Sequence, residues 1–191
     1  LAGLTKLRQI CNSPILLGDG HSGDNAVKIN VLLEQIENKS NDHKILVFSQ
    51  FVGMLDLIKI ELESKGIPFE YLTGQTKNRG NKVHNFQNNR EVRVFLISLK
   101  AGGVGLNLTA ADYVYLVDPW WNPAAENQAI DRSYRIGQNK NVVAVRLICS
   151  NSIEEKIMKL QDRKSKLAQD LVQTENSFFN NLSKDELLGL L

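Results

Sequence analysis

VRVFLIS at 92–98, AGGVGLNL at 101–108 and YVYLV at 113–117 are the stretch from which the fold is read. The outer segments are nearly unbroken apolar, β-branched and aromatic runs, which predict strands covered on both faces rather than strands with one wet side. Between them, glycines at 102, 103 and 105 break any regular element. Outward from this core the pattern repeats. ILVF at 45–48 is another short apolar run, and Phe51, Met54, Leu55, Ile58 and Leu62 then recur at helical spacing until Gly66. A strand at 68–72 and a polar helix carrying Val83 and Phe86 lead into the central run. After it come a helix over about 124–134 and the strand VVAVRLI at 142–148. Buried strands alternating with helices specify an α/β fold, a doubly wound parallel sheet with right-handed crossovers.

The flanks read as helical. Leu4, Leu7 and Cys11 predict a short helix over 4–11, stopped by Asn12-Ser13-Pro14 and followed by a loop. Asp24 is positioned to cap a second helix whose apolar residues are Ile29, Leu32, Leu33 and Ile36. Toward the end, Ile153, Ile157, Leu160, Leu167 and Leu171 form a stripe on a long helix over about 152–172. Such a stripe must be buried against another element. Ser183 and Glu186 make a capping box before a second short helix at 183–190. The organisation expected is a linker with a short helix over 1–24, an α/β lobe over 25–150, and a brace helix with a tail over 151–191.

Composition narrows the function classes. The 191 residues are 42% hydrophobic, enough for one domain with a substantial core, which excludes a disordered chain. No apolar run reaches the roughly 20 residues needed to span a bilayer. Lys and Arg number 23 against 21 Asp and Glu, so any basic site must be local. The two cysteines, Cys11 and Cys149, have no CxxC or His-paired spacing, which argues against a zinc site and against a disulfide framework. A reducing, intracellular setting fits: cytoplasm or nucleoid in a prokaryote, nucleus in a eukaryote. The chain opens at Leu1 without a charged-then-apolar leader, and reads as a piece of something longer.

Four segments could carry chemistry. SLKAGGVGLNL at 98–108 leaves a strand end, where ligands bind in open α/β sheets. Its glycines allow backbone N–H groups close to a phosphate and Lys100 adds charge; alternatively it is a tight connection. It matches neither the dinucleotide fingerprint, since Leu108 stands at the third glycine position, nor a Walker A loop, since no GKS or GKT occurs. In QAIDRSYRIGQ at 128–138, Gln128, Arg132 and Arg135 share one helix face, suited to a triphosphate or else simply solvated. DPWWNP at 118–123 holds two tryptophans that cannot both enter one core, so one is packed and the other offers a rim. KILVFSQF at 44–51 ends in a polar mouth, Ser49 and Gln50.

Together and in order, LTKLRQICNSPILL at 4–17, KILVFSQF, FLISLKAGGVGLNLTAADYVYLVDPWWNP at 95–123 and QAIDRSYRIGQ resemble the second, C-terminal RecA-like lobe of Swi/Snf-type DNA translocases in helicase superfamily two. The resemblance implies a motor that hydrolyses ATP between two lobes and moves along double-stranded DNA, usually without separating strands. By it, Arg132 and Arg135 correspond to arginine fingers, and Gln128, Gly103 and Gly105 to nucleotide-binding positions. Ser49, Gln50, Ser98 and Lys100 fall where the family touches the DNA backbone, and Trp121 matches its DNA-contacting tryptophan. ATP and Mg²⁺ are the implied cofactors, with magnesium and the Walker A lysine held by the N-terminal RecA-like lobe of the same protein. This chain would then hold half an active site and be inactive alone.

Two positions depart from the family pattern. Leu99 replaces a frequent Thr in the SLK triplet, and Tyr134 a frequent His between the arginines. The rival reading is a non-catalytic nucleic-acid or protein binding module on the same fold. A superfamily-two RNA helicase is a second rival, against which DPWWNP and the RIGQ ending stand by resemblance.

Overall fold

The computed structural model describes residues 2–18, 26–101, 106–133 and 141–165, the side chains of 163–165 excepted. Five strands form one sheet: β1 (Ile45–Ser49), β2 (Phe69–Leu72), β3 (Val94–Ser98), β4 (Tyr113–Leu116) and β5 (Val143–Arg146), in the order β2-β3-β1-β4-β5. Every pairing is parallel, with Ser49 opposite Ser98 and Phe48 opposite both Ile97 and Leu116. Six α-helices are described: α1 (Ala2–Asn12), α2 (Val27–Lys39), α3 (Val52–Ser64), α4 (Arg79–Asn88), α5 (Pro123–Ile130) and α6 (Ile153–Ser165). This is the doubly wound α/β architecture that the apolar runs predict.

The unbroken runs are explained by two cores, one on each side of the sheet. Ile45, Val47, Val94, Leu96, Tyr115 and Val117 point to one face, where Ile29, Leu32, Leu33 and Ile36 of α2 and Met54, Leu55, Ile58 and Leu62 of α3 cover them. Leu46, Phe48, Phe95, Ile97, Val114 and Leu116 point to the other, against Phe86 of α4 and Ala129 of α5. Alternate residues of one strand thus serve opposite cores, as the period of two requires. The C-terminal end of α4 is tied down from the start of β1. Lys44, just before the strand, donates its ammonium to the carbonyls of Phe86, Asn89 (2.8 Å) and Val92 (3.1 Å), satisfying groups left open at the helix C-terminus.

Several expectations change at the edges. The segment after α1 is a 3₁₀ turn over Pro14–Leu17 rather than a loop, because Pro14 presets the first helical φ. β5 is the edge strand and three of its four residues are exposed, so its apolar run does not denote burial on both faces among the described residues. α5 stops at Ile130 and residues 131–133 form a turn. Gly66, with φ 65°, closes α3 in the left-handed conformation that glycine adopts without strain. Asp24, the end of the long helix with Leu167 and Leu171, and the Ser183–Glu186 capping box lie outside the described residues. No helix among the described residues is long and apolar enough to cross a membrane.

A third cluster joins α1 to α6. Leu4 of α1 packs with Ile153, Ile157 and Leu160 of α6 and with Trp121, so the described part of the α6 stripe is buried within this chain. Beside it runs a buried polar network. Lys28 donates to Glu154 Oε1 (2.6 Å), to Asn12 Oδ1 (3.1 Å) and to the Val117 carbonyl (2.8 Å), linking α2, α6, α1 and the end of β4. Burial pushes the Glu154 carboxyl above its ordinary range, and the Lys28 ammonium pulls it back.

Removing one partner of a buried pair leaves the other charge uncompensated. Lys28→Met is expected to cost about 3–5 kcal/mol in urea unfolding, and Lys28→Met with Glu154→Gln to cost less than the sum of the single changes.

Candidate functional site

Strand order places the site. β1 lies between β3 and β4, so the loops leaving β1, β3 and β4 gather at one C-terminal edge, at the point where the order reverses. KILVFSQF, SLKAGGVGLNL and DPWWNP all leave the sheet there.

A cavity of about 210 Å³ opens at this edge, lined by Leu99, Lys100, Trp120, Ala125, Gln128, Ala129 and Arg132. Three of the residues singled out from sequence therefore share one space. Lys100 comes from the β3 exit, Gln128 from α5, and Arg132 from the turn after it. α5 is aimed by its own N-terminus: Asn122 accepts from the Ala124 N–H at 3.0 Å as a cap, and Pro123 takes the first turn, where no N–H is needed. Glu126, fully buried on the inner side of α5, accepts from the Trp120 N–H (2.6 Å) and from Arg146 Nε (2.8 Å). With Glu126 turned inward, Gln128 is left exposed at the cavity. Arg132 is only 3% exposed, and its carbonyl accepts from the Leu108 N–H at 3.1 Å, pinning the far end of the glycine-rich loop to the α5 turn. Among the described residues, two cations, an amide and no carboxylate line this cavity. That donor set fits a phosphoanion; magnesium finds no ligand among the lining residues.

The hydroxyls and Trp121, which the resemblance places against DNA, are buried within this chain. Ser49 is wholly buried and its hydroxyl donates to Asp118, while Asp118 also accepts from the Gln50 N–H at 3.0 Å. Burial raises the Asp118 carboxyl above its ordinary range; the Ser49 hydroxyl, Arg8 and the Gln50 N–H oppose that rise. Gln50 Oε1 in turn accepts from Arg8, which also donates to the Pro119 carbonyl at 2.8 Å. Ser98 is 3% exposed, and its Oγ accepts from the Ala101 N–H at 3.3 Å. Of these four, Lys100 alone is exposed. Trp121 is 1% exposed, packed on the α6 stripe with the Arg8 guanidinium 5.2 Å from its ring centre. Within this chain the ring is enclosed by α1 and α6. Trp120 is the half-buried one and borders the cavity. Gly103, Gly105 and Arg135 lie outside the described residues.

The sequence reading missed the buried charges: Arg8, Lys28, Glu126 and Glu154 on helices, and Asp118 after β4. Charged residues inside otherwise ordinary helices carry no local sign that they will be buried. It also missed that Cys11 and Cys149, 138 positions apart, are neighbours.

The two tryptophans provide a direct check on this placement. Trp121→Ala is expected to cost about 3–5 kcal/mol of stability as a core truncation, and Trp120→Ala about 1–2 kcal/mol, measured by urea unfolding.

Residues 27–137 match the model of the helicase conserved C-terminal domain. An uncharacterized ATP-dependent helicase of Mycoplasma genitalium is 40% identical over 199 residues, covering 100% of this chain and 19% of the relative. The ATP-dependent helicase rhp16 of Schizosaccharomyces pombe is 39% identical over 174 residues, covering 88% of this chain and 20% of the relative. The chain thus spans about a fifth of the length of these relatives. The Sulfolobus solfataricus SWI2/SNF2 ATPase core, solved in complex with double-stranded DNA, superposes with a TM-score of 0.75 at 35% identity, over 100% of this chain and 41% of that one.

Proposed function

Since this chain belongs to the helicase conserved C-terminal domain family, in its Swi/Snf-type branch, we propose that it is the second motor lobe of an ATP-dependent translocase on double-stranded DNA. The observation that carries this reading is the single cavity shared by Lys100, Gln128 and Arg132 at the switch point of the sheet. The whole protein would close its nucleotide cleft by apposing this edge to an N-terminal lobe that supplies the Walker A lysine and the magnesium carboxylates. This chain alone would then not turn over ATP.

Within that cleft the residues divide their tasks by exposure. Phosphoryl transfer needs positive charge aimed at the oxygens of the transferred group and little covalent chemistry. Arg132, buried at the cavity and with its backbone fixed by the Leu108 N–H, would bring a guanidinium to the phosphate in a water-poor setting. Arg135, three positions on, is the second finger of this reading. Gln128 offers an amide to orient the nucleotide, and Gly103 and Gly105 keep the intervening loop free of side chains that would block a phosphate. Bound magnesium would offset phosphate charge and is not assigned to any residue of this chain.

DNA contact falls to Lys100, whose exposed ammonium suits a phosphate. Ser49, Gln50 and Ser98 shape the strand ends that present it, because their polar atoms are engaged internally. Trp121 acts as a brace between the site and the two terminal helices.

In the two-lobe protein, Arg132→Ala or Arg135→Ala is expected to leave ATP binding largely intact and to lower turnover roughly 10³- to 10⁵-fold. Near-normal turnover in both variants overturns the finger assignment. Lys100→Ala is expected to weaken DNA binding equally on unrelated sequences and to reduce the slope of log K against log salt by about 0.9. A slope unchanged within error removes Lys100 from the interface.

A further inference from the structure

Cys11 and Cys149 are the two cysteines of the chain, and both thiols are free and half-buried. Cys11 is the penultimate residue of α1, and Cys149 sits in the connection between β5 and α6. Their sulfurs and a Glu154 carboxylate oxygen all lie within 4.8 Å of one another, and Cys149 Sγ is 3.2 Å from the Cys11 carbonyl oxygen. The surroundings are tightly held. Ser152 donates to the Cys149 carbonyl at 2.6 Å, and Glu154 Oε2 accepts from the Cys149 N–H at 3.0 Å.

Two sulfurs and a carboxylate could hold a soft cation or, without one, carry redox chemistry. The local charge decides between them. Both Glu154 oxygens are already engaged, Oε1 by Lys28 at 2.6 Å and Oε2 by the Cys149 N–H. A divalent ion would therefore have to displace or sit against a buried ammonium, whereas that same ammonium stabilises a thiolate. We propose that Cys11 and Cys149 form a reversible disulfide that staples α1 to the β5–α6 connection, with Cys11 as the attacking sulfur and Cys149 as the resolving one.

The roles follow from how each thiol is held: the Cys149 thiol donates to the Cys11 carbonyl oxygen at 3.2 Å and so keeps its proton, which leaves Cys11 as the attacking sulfur. A hydrogen bond from the Cys149 thiol, with lesser help from Ser152 and Lys28, holds Cys11 down to about 6 against the effect of burial. The same contact, together with burial, pushes Cys149 up. With a hydroperoxide as oxidant, the Cys11 thiolate attacks the terminal peroxide oxygen, forming a sulfenic acid as the O–O bond breaks and the leaving oxygen takes a proton. The Cys149 sulfur then attacks that sulfur and its proton leaves with the hydroxyl as water. Two thiols and one hydrogen peroxide become one disulfide and two waters. The bond requires the sulfurs, now within 4.8 Å, to close to about 2.05 Å. The bond would lock the end of α1 beside the Lys28–Glu154 pair and the Trp121 cluster, so oxidation is read as a stiffening of the terminal-helix contact.

The test treats the full chain, folded and reduced, with equimolar hydrogen peroxide at pH 7, then alkylates the remaining thiols and measures intact mass. Expected are a loss of two hydrogens, no alkylated cysteine, a monomer on a non-reducing gel, a higher Tm, and full reversal by dithiothreitol. Before oxidation, Cys11 should alkylate roughly tenfold faster than Cys149. In Cys149→Ser, dimedone should capture Cys11 as the sulfenic acid; in Cys11→Ser, Cys149 should remain alkylatable after the same treatment. Two thiols still alkylatable in the oxidised wild-type chain, a disulfide-linked dimer as main product, or a sulfenic acid on Cys149 in Cys11→Ser would each overturn the proposal. So would stoichiometric protection of both thiols by zinc alone, which would make the cluster a metal site. Should either serine variant fail to fold, the wild-type mass, gel and alkylation rates decide the matter unaided.

Discussion

One buried ammonium holds this lobe together. Lys28 reaches Asn12 at the end of α1, the Val117 carbonyl at the end of β4 and Glu154 at the start of α6, so elements from both chain ends and the sheet centre share a single cation. Taking an ammonium and a carboxylate out of water is costly unless the geometry is good and the remaining lone pairs are filled. Here Glu154 also accepts the Cys149 N–H, and Lys28 has three acceptors, so the network is satisfied at its centre. The arrangement selects one docking of α1 and α6 from the many that apolar contacts between Leu4, Ile153, Ile157 and Leu160 would tolerate.

A second network, centred on Asp118, does the same for the loops at the C-terminal edge. Its acceptors take the Ser49 hydroxyl and the Gln50 N–H, and Arg8 bridges Gln50 to the Pro119 carbonyl. Polar atoms that look available for ligand binding are thereby spent on holding strand ends in register. What remains outward is Lys100, Gln128, the rim of Trp120 and the small opening onto Arg132. Rigid support and exposed chemistry are separated by one layer of side chains, which is how a loop-built site keeps its geometry. The cysteine pair sits at the seam of the first network, with Cys11 next to Asn12 and the Glu154 carboxylate within 4.8 Å, so a change in its bonding acts on the docking of α1 and α6.

Much of the fold was legible in the residues because strand and helix patterns are local. The apolar runs at 45–48 and 92–98, the 3.6-residue spacing through Met54, Leu55, Ile58 and Leu62, and Gly66 as a helix stop all reappear at their expected places. The site was partly legible: the Gln128 and Arg132 row was visible at helical spacing, and Lys100 from its place at a strand exit. Which tryptophan is enclosed was not legible, since adjacent residues point apart without indicating which side α1 and α6 will cover.

Sequence alone therefore determined the element types, the parallel α/β class and the polar positions, Lys100, Gln128 and Arg132, that meet at the C-terminal edge, because these depend on periodicity and on chemistry within a few residues. Tertiary structure alone decided which polar groups are available. Ser49, Ser98 and Trp121 became internal, Lys28 and Glu154 became partners across 126 positions, and Cys11 met Cys149. The physical reason is that burial and pairing are set by which elements close over a residue, and that closure is a property of distant parts of the chain rather than of the residue's neighbours.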